Sequence, residues 1–175
     1  MSINFVPAED YRDEVKALYK SAFPKEEQAP FRLLFKRERQ GIADFYAVVD
    51  EGKFVGLTLL TGLDDVVTLF FFAIDDNLRG HGYGTEVLTL KDKYDGKRIF
   101  ICIEPIEKDA PNYKQRVKRK AFYKKNGFKV MPFQVKEAGV TYDIMSVGGD
   151  VTFKEYERIT KRFFGRVLYF FIKRF

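Results

Sequence analysis

The chain is 175 residues long, enough for one domain with a real core, and its 46% hydrophobic and 32% charged residues are ordinary for a soluble globular protein. A single cysteine excludes an internal disulfide, and one cysteine with one histidine excludes a Cys/His zinc site. The net charge of +6 is gathered into two segments: residues 113–129 hold eight Lys or Arg and no acid, and residues 151–175 hold seven against two, so the rest of the chain is net acidic. An anionic ligand, nucleic acid, an anionic membrane or two solvated helix faces would each explain that distribution.

Taken in order, Ile3 to Val6 reads as a short first strand. Asp10 is placed to cap a helix in which Tyr11, Val15, Leu18, Tyr19 and Ala22 recur at helical spacing before Pro24 ends it. A polar loop, Lys25 to Pro30, leads to a second short helix begun by Phe31, Leu33, Leu34 and Phe35 and running out near Gly41. Phe45–Val49 and Phe54–Leu60 read as strands joined by a hairpin turn at Asp50-Glu51-Gly52-Lys53. A connection from Gly62 to Asp65 feeds the apolar run from Val66 through Phe70, Phe71, Phe72, Ala73 and Ile74, too short for a helix and too apolar for a loop. Three adjoining strands on short turns imply an antiparallel meander.

The strand stops at Asp75-Asp76-Asn77, and Arg79, Gly80, Gly82 and Gly84 follow at once. A helix from about Tyr83 to Tyr94 comes next, closed by Asp95-Gly96. Arg98 to Ile103 is a further buried strand, left at Glu104-Pro105 where proline forbids a ladder bond. After a polar connection through Asn112, Tyr113 to Asn126 is a basic helix with Val117, Ala121 and Phe122 as its apolar side and Asn126-Gly127 as its stop. Two last strands, about Phe128–Lys136 and Val140–Val147, pair across Glu137-Ala138-Gly139. The start, MSINFVPAEDYRDE, has no basic region followed by an apolar core, and no 18 apolar residues run uninterrupted, so neither a secretory signal nor a transmembrane span is expected and the cytoplasm is the expected compartment.

Glycines at 80, 82 and 84 let the backbone turn its N–H groups toward a common point, with a helix dipole behind them and the Arg79 guanidinium beside them. That is an anion cradle, or else a strand-to-helix turn rich in glycine for steric reasons. The ATPase phosphate loop is excluded because no Lys-Ser/Thr pair follows. The dinucleotide fingerprint fits Gly80 and Gly82, with Glu104 as the acid beyond the next strand, but its third glycine would be Thr85. A meander before the loop also argues against that fold. Arg79, Gly82 and Gly84 satisfy Arg-x-x-Gly-x-Gly in full, and about 40 residues on Phe122-Tyr123-Lys124-Lys125-Asn126-Gly127-Phe128 satisfies Phe-Tyr-x-x-x-Gly-Phe. Together, in this order and with one strand between, they resemble the two hallmarks of the GCN5-related N-acetyltransferases, the GNAT family.

The resemblance covers Ile3 to Val147 and implies an α/β fold in which a mixed, largely antiparallel seven-strand sheet splays between its fourth and fifth strands, with helices on its faces. The domain is expected over residues 1–150, with 151–175 as a C-terminal basic helix of the same domain or its interface. It further implies that acetyl-CoA is the acyl donor, the backbone of Phe72, Ala73 and Ile74 holding the pantetheine arm and the stretch Arg79, Gly80, His81, Gly82, Tyr83 and Gly84 cradling the pyrophosphate, with His81 exposed and incidental. Asn112 matches a position that bonds the pantetheine. Acyl transfer to an amine needs a deprotonated amine, an oxyanion donor and a proton for the departing sulfur. Tyr123 is the candidate acid, against a packed core aromatic. Glu104 is the candidate base, against an acid that salt-bridges the basic helix. Glu26 and Glu27 are the runners-up, placed where a cationic substrate could bind.

In the C-terminal segment Thr152 and Glu155 form a capping box, and Phe153, Tyr156, Ile159, Phe163, Val167 and Phe170 or Phe171 make an apolar stripe that would pack on its own domain, on a second copy in a homodimer, or on an anionic membrane. Two functions follow: an acetyl-CoA-dependent N-acetyltransferase acting on a small-molecule or peptide primary amine with no nucleic-acid partner, or a non-catalytic acyl-CoA-binding module working through its basic helix.

Overall fold

The computed structural model describes residues 2–89, 94 and 96–174. Its elements run β1 (Ile3–Pro7), α1 (Arg12–Ala22), α2 (Phe31–Arg39), β2 (Ala43–Asp50), β3 (Lys53–Leu63), β4 (Val66–Ile74), α3 (Tyr83–Val87), β5 (Arg98–Ile103), α4 (Tyr113–Lys125), β6 (Lys129–Glu137), β7 (Val140–Val147) and α5 (Phe153–Arg174). The strands form one seven-stranded sheet in the order β1-β2-β3-β4-β5-β7-β6. The pairs β1/β2, β2/β3, β5/β7 and β6/β7 are antiparallel and β4/β5 is parallel, which is the mixed sheet expected. The parallel ladder pairs Val66, Val67 and Thr68 with Arg98, Ile99 and Phe100. The β2/β3 and β6/β7 hairpins close through two-residue turns of left-handed backbone, at Glu51 (φ 49°) and Gly52 (φ 78°) and at Ala138 (φ 45°) and Gly139 (φ 84°), whose twist matches that of the strands.

The chain divides into two units. The first, residues 1–62 and 69–95, accounts for much of the aromatic content. Phe71 meets Tyr19 and Phe23 edge-on, each at 5.0 Å, Phe35 lies 5.1 Å from Phe45, and the Arg12 guanidinium sits 4.3 Å above the Phe35 ring. Strand β4 thus turns Phe71 into the core while Phe70 and Phe72 are half-buried on its other face. Close approach of β3 explains Gly56, where an added Cβ would come within 2.5 Å of the Ala73 carbonyl oxygen. Asp10 does not cap α1. A 3-10 turn over Ala8–Tyr11 precedes the helix and takes up Asp10, so the N-cap position falls to Tyr11 and the helix starts at Arg12 without a side-chain cap. Helix α3 ends at Val87, and the expected continuation toward Tyr94 falls largely outside the described residues.

The second unit comprises residues 63–68 and 96–175. Its core gathers Val66, Phe100, Met131, Val135, Tyr142 and Ile144 from the strands with Val151, Tyr156 and Ile159, so the first turns of α5 pack on this unit itself. The capping box is formed: the Thr152 N–H donates to Glu155 Oε2 at 2.8 Å and the Glu155 N–H to Thr152 Oγ1 at 3.3 Å. Phe163 is fully buried, Phe153 is half exposed, and the helix breaks at Gly165 (φ 79°). The stripe's expected continuation at Val167, Phe170 and Phe171 lies outside the described side chains. Among the described residues no helix is long and apolar enough to cross a membrane.

The expected apolar side of α4 is a correction. Val117 and Ala121 are exposed and Phe122 is half-buried; the buried residue is Tyr123, flanked by the mostly covered Arg116 and Lys120. Two carboxylates, Glu104 just past the end of β5 and Asp143 on β7, supply the reason. Arg116 pairs with Glu104 at 2.5 Å and Lys120 with Asp143 at 2.7 Å, so the cations face inward and the valine and alanine outward.

Candidate active site

In the first unit, β4 delivers the chain into the glycine loop. The Asp75 N–H donates to Val55 of β3 at 3.0 Å. By the two-residue period of a strand, the backbone groups of Phe72 and Ile74 therefore point to the edge away from β3. The Asp75 carboxylate accepts the Asn77 N–H at 2.9 Å and shapes a 3-10 turn over Asp76–Leu78. Arg79 then folds back on the turn: its Nε donates to the Ile74 carbonyl at 3.3 Å and its guanidinium meets Asp76 at 2.5 Å. Gly80 and Gly82 are left-handed, at φ 85° and 89°. An added Cβ at Gly80 would meet nothing within 4 Å, so this glycine answers a backbone demand and not crowding.

The backbone N–H groups of Gly80, His81, Gly82, Tyr83 and Gly84 find no acceptor among the described residues; the next in line, Thr85 and Glu86, donate to the Gly82 carbonyl. A run of exposed, unpartnered donors turned by left-handed glycines can receive the oxygens of an anion. His81 is exposed and its Nδ1 lies 3.2 Å from the Leu78 carbonyl, inside the loop. Tyr83 ties the loop to β2 through a 2.7 Å hydrogen bond to Asp50, whose carboxylate is held below its ordinary range by that bond and by the Ser2 N–H. No sequence signal marks the Tyr83–Asp50 tether. Glu26 and Glu27 lie on a short 3-10 turn between α1 and α2, with Glu26 exposed.

In the second unit, the Phe-Tyr-x-x-x-Gly-Phe segment is a complete helix stop. The Phe128 N–H donates to the Tyr123 carbonyl at 3.0 Å and the Gly127 N–H to the Lys124 carbonyl at 3.1 Å. Gly127 is left-handed at φ 89°, and the Tyr123 and Phe128 rings stand 5.4 Å apart. These are the two bonds and the hydrophobic contact of a Schellman motif. The spacing therefore has a physical content: it holds the Tyr123 ring in place. Space exists for a methyl group at Gly127, the nearest atom being 3.6 Å away, so Gly127→Ala is expected to cost only the left-handed backbone penalty, about 1 kcal/mol, read as a lowered denaturant midpoint at unchanged m.

Tyr123 is buried, and desolvation pushes its phenol up to about 12 despite the opposing charge of Arg119. Its hydroxyl makes no hydrogen bond to the described residues. Glu104 and Asn112 are brought together, Asn112 Nδ2 donating to Glu104 Oε2 at 3.0 Å. Arg116 organises both: Nε donates to Asn112 Oδ1 at 2.7 Å, Nη1 to the Pro105 carbonyl at 2.9 Å and Nη2 to Glu104 Oε1 at 2.5 Å. Arg119 adds a longer contact to Glu104 at 3.4 Å. Arg116 is the residue that sequence reading missed; its signal is a cation one turn into a basic helix that follows, across a polar connection, an acid at the end of a strand.

A family model described as an acetyltransferase (GNAT) domain matches residues 41–130, a span containing both the glycine loop and the helix stop. Comparison with curated protein sequences gave no match. Among solved structures, a GNAT-family protein from Bacteroides thetaiotaomicron superposes with a TM-score of 0.71 at 22% identity, over 91% of this chain and 93% of that one. An aminoglycoside 6′-N-acetyltransferase complexed with coenzyme A does so at 0.65 and 14%, over 87% and 99%. The ribosomal-protein-S18-alanine N-acetyltransferase from Escherichia coli follows at 0.62 and 18%, over 87% and 99%. At these identities the structural likeness is one of fold.

Proposed function

Because the chain belongs to the GNAT acetyltransferase family, we propose that it is an acetyl-CoA-dependent N-acetyltransferase that acetylates a primary amine by direct attack on the thioester. The observation that carries this reading is the row of N–H groups from Gly80 to Gly84, without acceptors among the described residues, at the exit of β4 and beside Arg79. Those donors suit a pyrophosphate. Phe72 and Ile74 offer backbone groups to the amide-bearing arm along the β4 edge that faces away from β3. Bound acetyl-CoA supplies an activated acyl carbon and a sulfur leaving group. Tyr123, kept protonated through neutral pH by its burial, is the proton donor. Transfer of a proton from a phenol near 12 to a sulfur whose thiol titrates near 8.5 is uphill by about 3.5 pH units, so it draws on the free energy of amide formation as the carbon–sulfur bond breaks, with Arg119 offsetting the charge on the phenol oxygen until solvent returns the proton lost by the attacking amine.

Glu104 has its oxygens occupied by Arg116, Arg119 and Asn112, so its first task is to hold the β5–α4 connection, and amine deprotonation is assigned to solvent. Glu104→Gln is accordingly expected to lower the melting temperature and to leave the acidic limb of kcat/KM where it was. Loss of that limb at unchanged stability would instead make Glu104 the base.

The function itself is tested by calorimetry with acetyl-CoA followed by thiol release across an amine panel. The panel should include an aminoglycoside and a peptide with a free N-terminal alanine, the acceptors named for the two neighbours above. Saturable binding with amine-dependent release is expected; binding without release across the panel would leave an acyl-CoA-binding module. Tyr156, Ile159 and Phe163 of α5 are buried, so that part of the stripe is not offered to a membrane.

A further inference from the structure

We infer that the ion pair between Lys120 and Asp143 is a positioning device for Tyr123, an inference that rests on the proton-donor role proposed above. Asp143 stands on β7 in register with Ile103 of β5 on one side and Gln134 of β6 on the other, and it is buried. Its Oδ2 accepts from Lys120 Nζ at 2.7 Å and its Oδ1 from Gln134 Nε2 at 2.8 Å. Burial opposes its ionisation, yet the bonds from Gln134 and Lys120 hold the carboxyl below its ordinary range.

A covered ion pair of this kind contributes little net stability, because desolvating two charges cancels most of their attraction. What it supplies is geometry. Lys120 and Tyr123 lie three residues apart and therefore on one face of α4, and Lys120 is the inward anchor nearest to Tyr123 along the helix. Arg116 fixes the start of α4 through Glu104, and the Schellman stop fixes its last backbone turn. Between these two ends the Lys120–Asp143 pair ties the middle of α4 to β7, one turn before Tyr123, and adds a side-chain restraint on rotation about the helix axis. The tyrosine hydroxyl stands roughly 9 Å from that axis, so a rotation of about 10° would move it by about 1.5 Å. A displacement of that size can cost a reaction up to about 100-fold.

The test measures thiol release from acetyl-CoA with the best amine of the panel. Lys120→Met keeps an unbranched chain as long as the lysine stem, removes the ammonium and leaves Asp143 its Gln134 partner. We expect kcat to fall roughly 5- to 50-fold while KM for acetyl-CoA stays within about twofold, and Lys120→Arg to restore most of the loss. In a Tyr123→Phe background the same substitution should cost less than about twofold, since its effect has nothing left to act through. Asp143→Asn is the second variant and should follow the same pattern if Lys120→Met folds poorly. A lowered melting temperature at unchanged kcat, or an equal loss in the Tyr123→Phe background, overturns the inference and leaves the acetyltransferase reading standing. An unchanged kcat for Tyr123→Phe alone removes the proton-donor role, and the positioning role with it, without involving Lys120.

Discussion

Replacing Tyr123 with phenylalanine is expected to lower kcat roughly 10- to 1,000-fold, with KM for acetyl-CoA and the melting temperature nearly unchanged. The substitution keeps the ring that meets Phe122 and Phe128 at 5.1 and 5.4 Å, and the helix stop depends on the backbone of residue 123 and not on its hydroxyl. No partner among the described residues loses a hydrogen bond, so stability has little reason to move. A structural tyrosine would give the opposite result, a lower melting temperature at full turnover. The pH profile supplies a second check. With the phenol raised to about 12 by burial, the donor is fully protonated near neutrality, and an alkaline loss of kcat from this group should begin only above roughly pH 10. An alkaline limb near pH 8.5 that vanishes in Tyr123→Phe would mean that the tyrosine is far more acidic in the working enzyme than its surroundings allow.

The parts of the fold that could be read in the sequence are those governed by neighbours along the chain. Strand β5 begins and ends where the run from Arg98 to Ile103 does, because Gly96 and Pro105 punctuate it and apolar residues fill it. The β2/β3 and β6/β7 hairpins were legible as Glu51-Gly52 and Ala138-Gly139, since few residues tolerate left-handed backbone at both turn positions. Gly127 was legible as a helix stop for the same reason. The glycine loop was legible only in part: its spacing pointed to an anion, but the open space at Gly80 was needed to separate a conformational demand from crowding.

What escaped reading depends on residues distant in the chain. Tyr83 reaches Asp50, and Arg98 joins Asp65 to Glu155; neither pairing leaves a local mark. Helix α4 shows how such pairings defeat periodicity. Val117 and Ala121 recur at the spacing of a buried stripe, yet the face that is buried carries Arg116, Lys120 and Tyr123, because Glu104 waits at the exit of β5 and Asp143 on β7. The eight cations of residues 113–129 thus divide by face, Arg116 and Lys120 being neutralised inward while Lys114, Lys118, Lys124 and Lys125 are exposed. A formal charge count could not make that division.

Gly82→Val should weaken acetyl-CoA binding more than Arg79→Ala does, an ordering that the loop geometry supplies and a motif alone would not. Gly82 is left-handed at φ 89°, a conformation that costs an ordinary side chain about 1–2 kcal/mol and a β-branched one more. Valine there would rotate the peptides on either side, and with them the N–H groups of Gly82 and Tyr83. Donors that must converge on one anion lose their joint effect when two of them turn away, so a loss of roughly 30-fold or more in affinity is expected. Arg79 contributes differently. Its guanidinium is half exposed and already meets Asp76 at 2.5 Å, so its attraction for an anion is partly cancelled and screened, and Arg79→Ala should cost roughly 3- to 10-fold. Titration calorimetry with acetyl-CoA at two salt concentrations separates the contributions, since the Arg79 effect should shrink as ionic strength rises while the Gly82 effect should not. If both variants bind as tightly as the parent, the pyrophosphate is held elsewhere, and affinity for NAD instead would return the loop to the dinucleotide class.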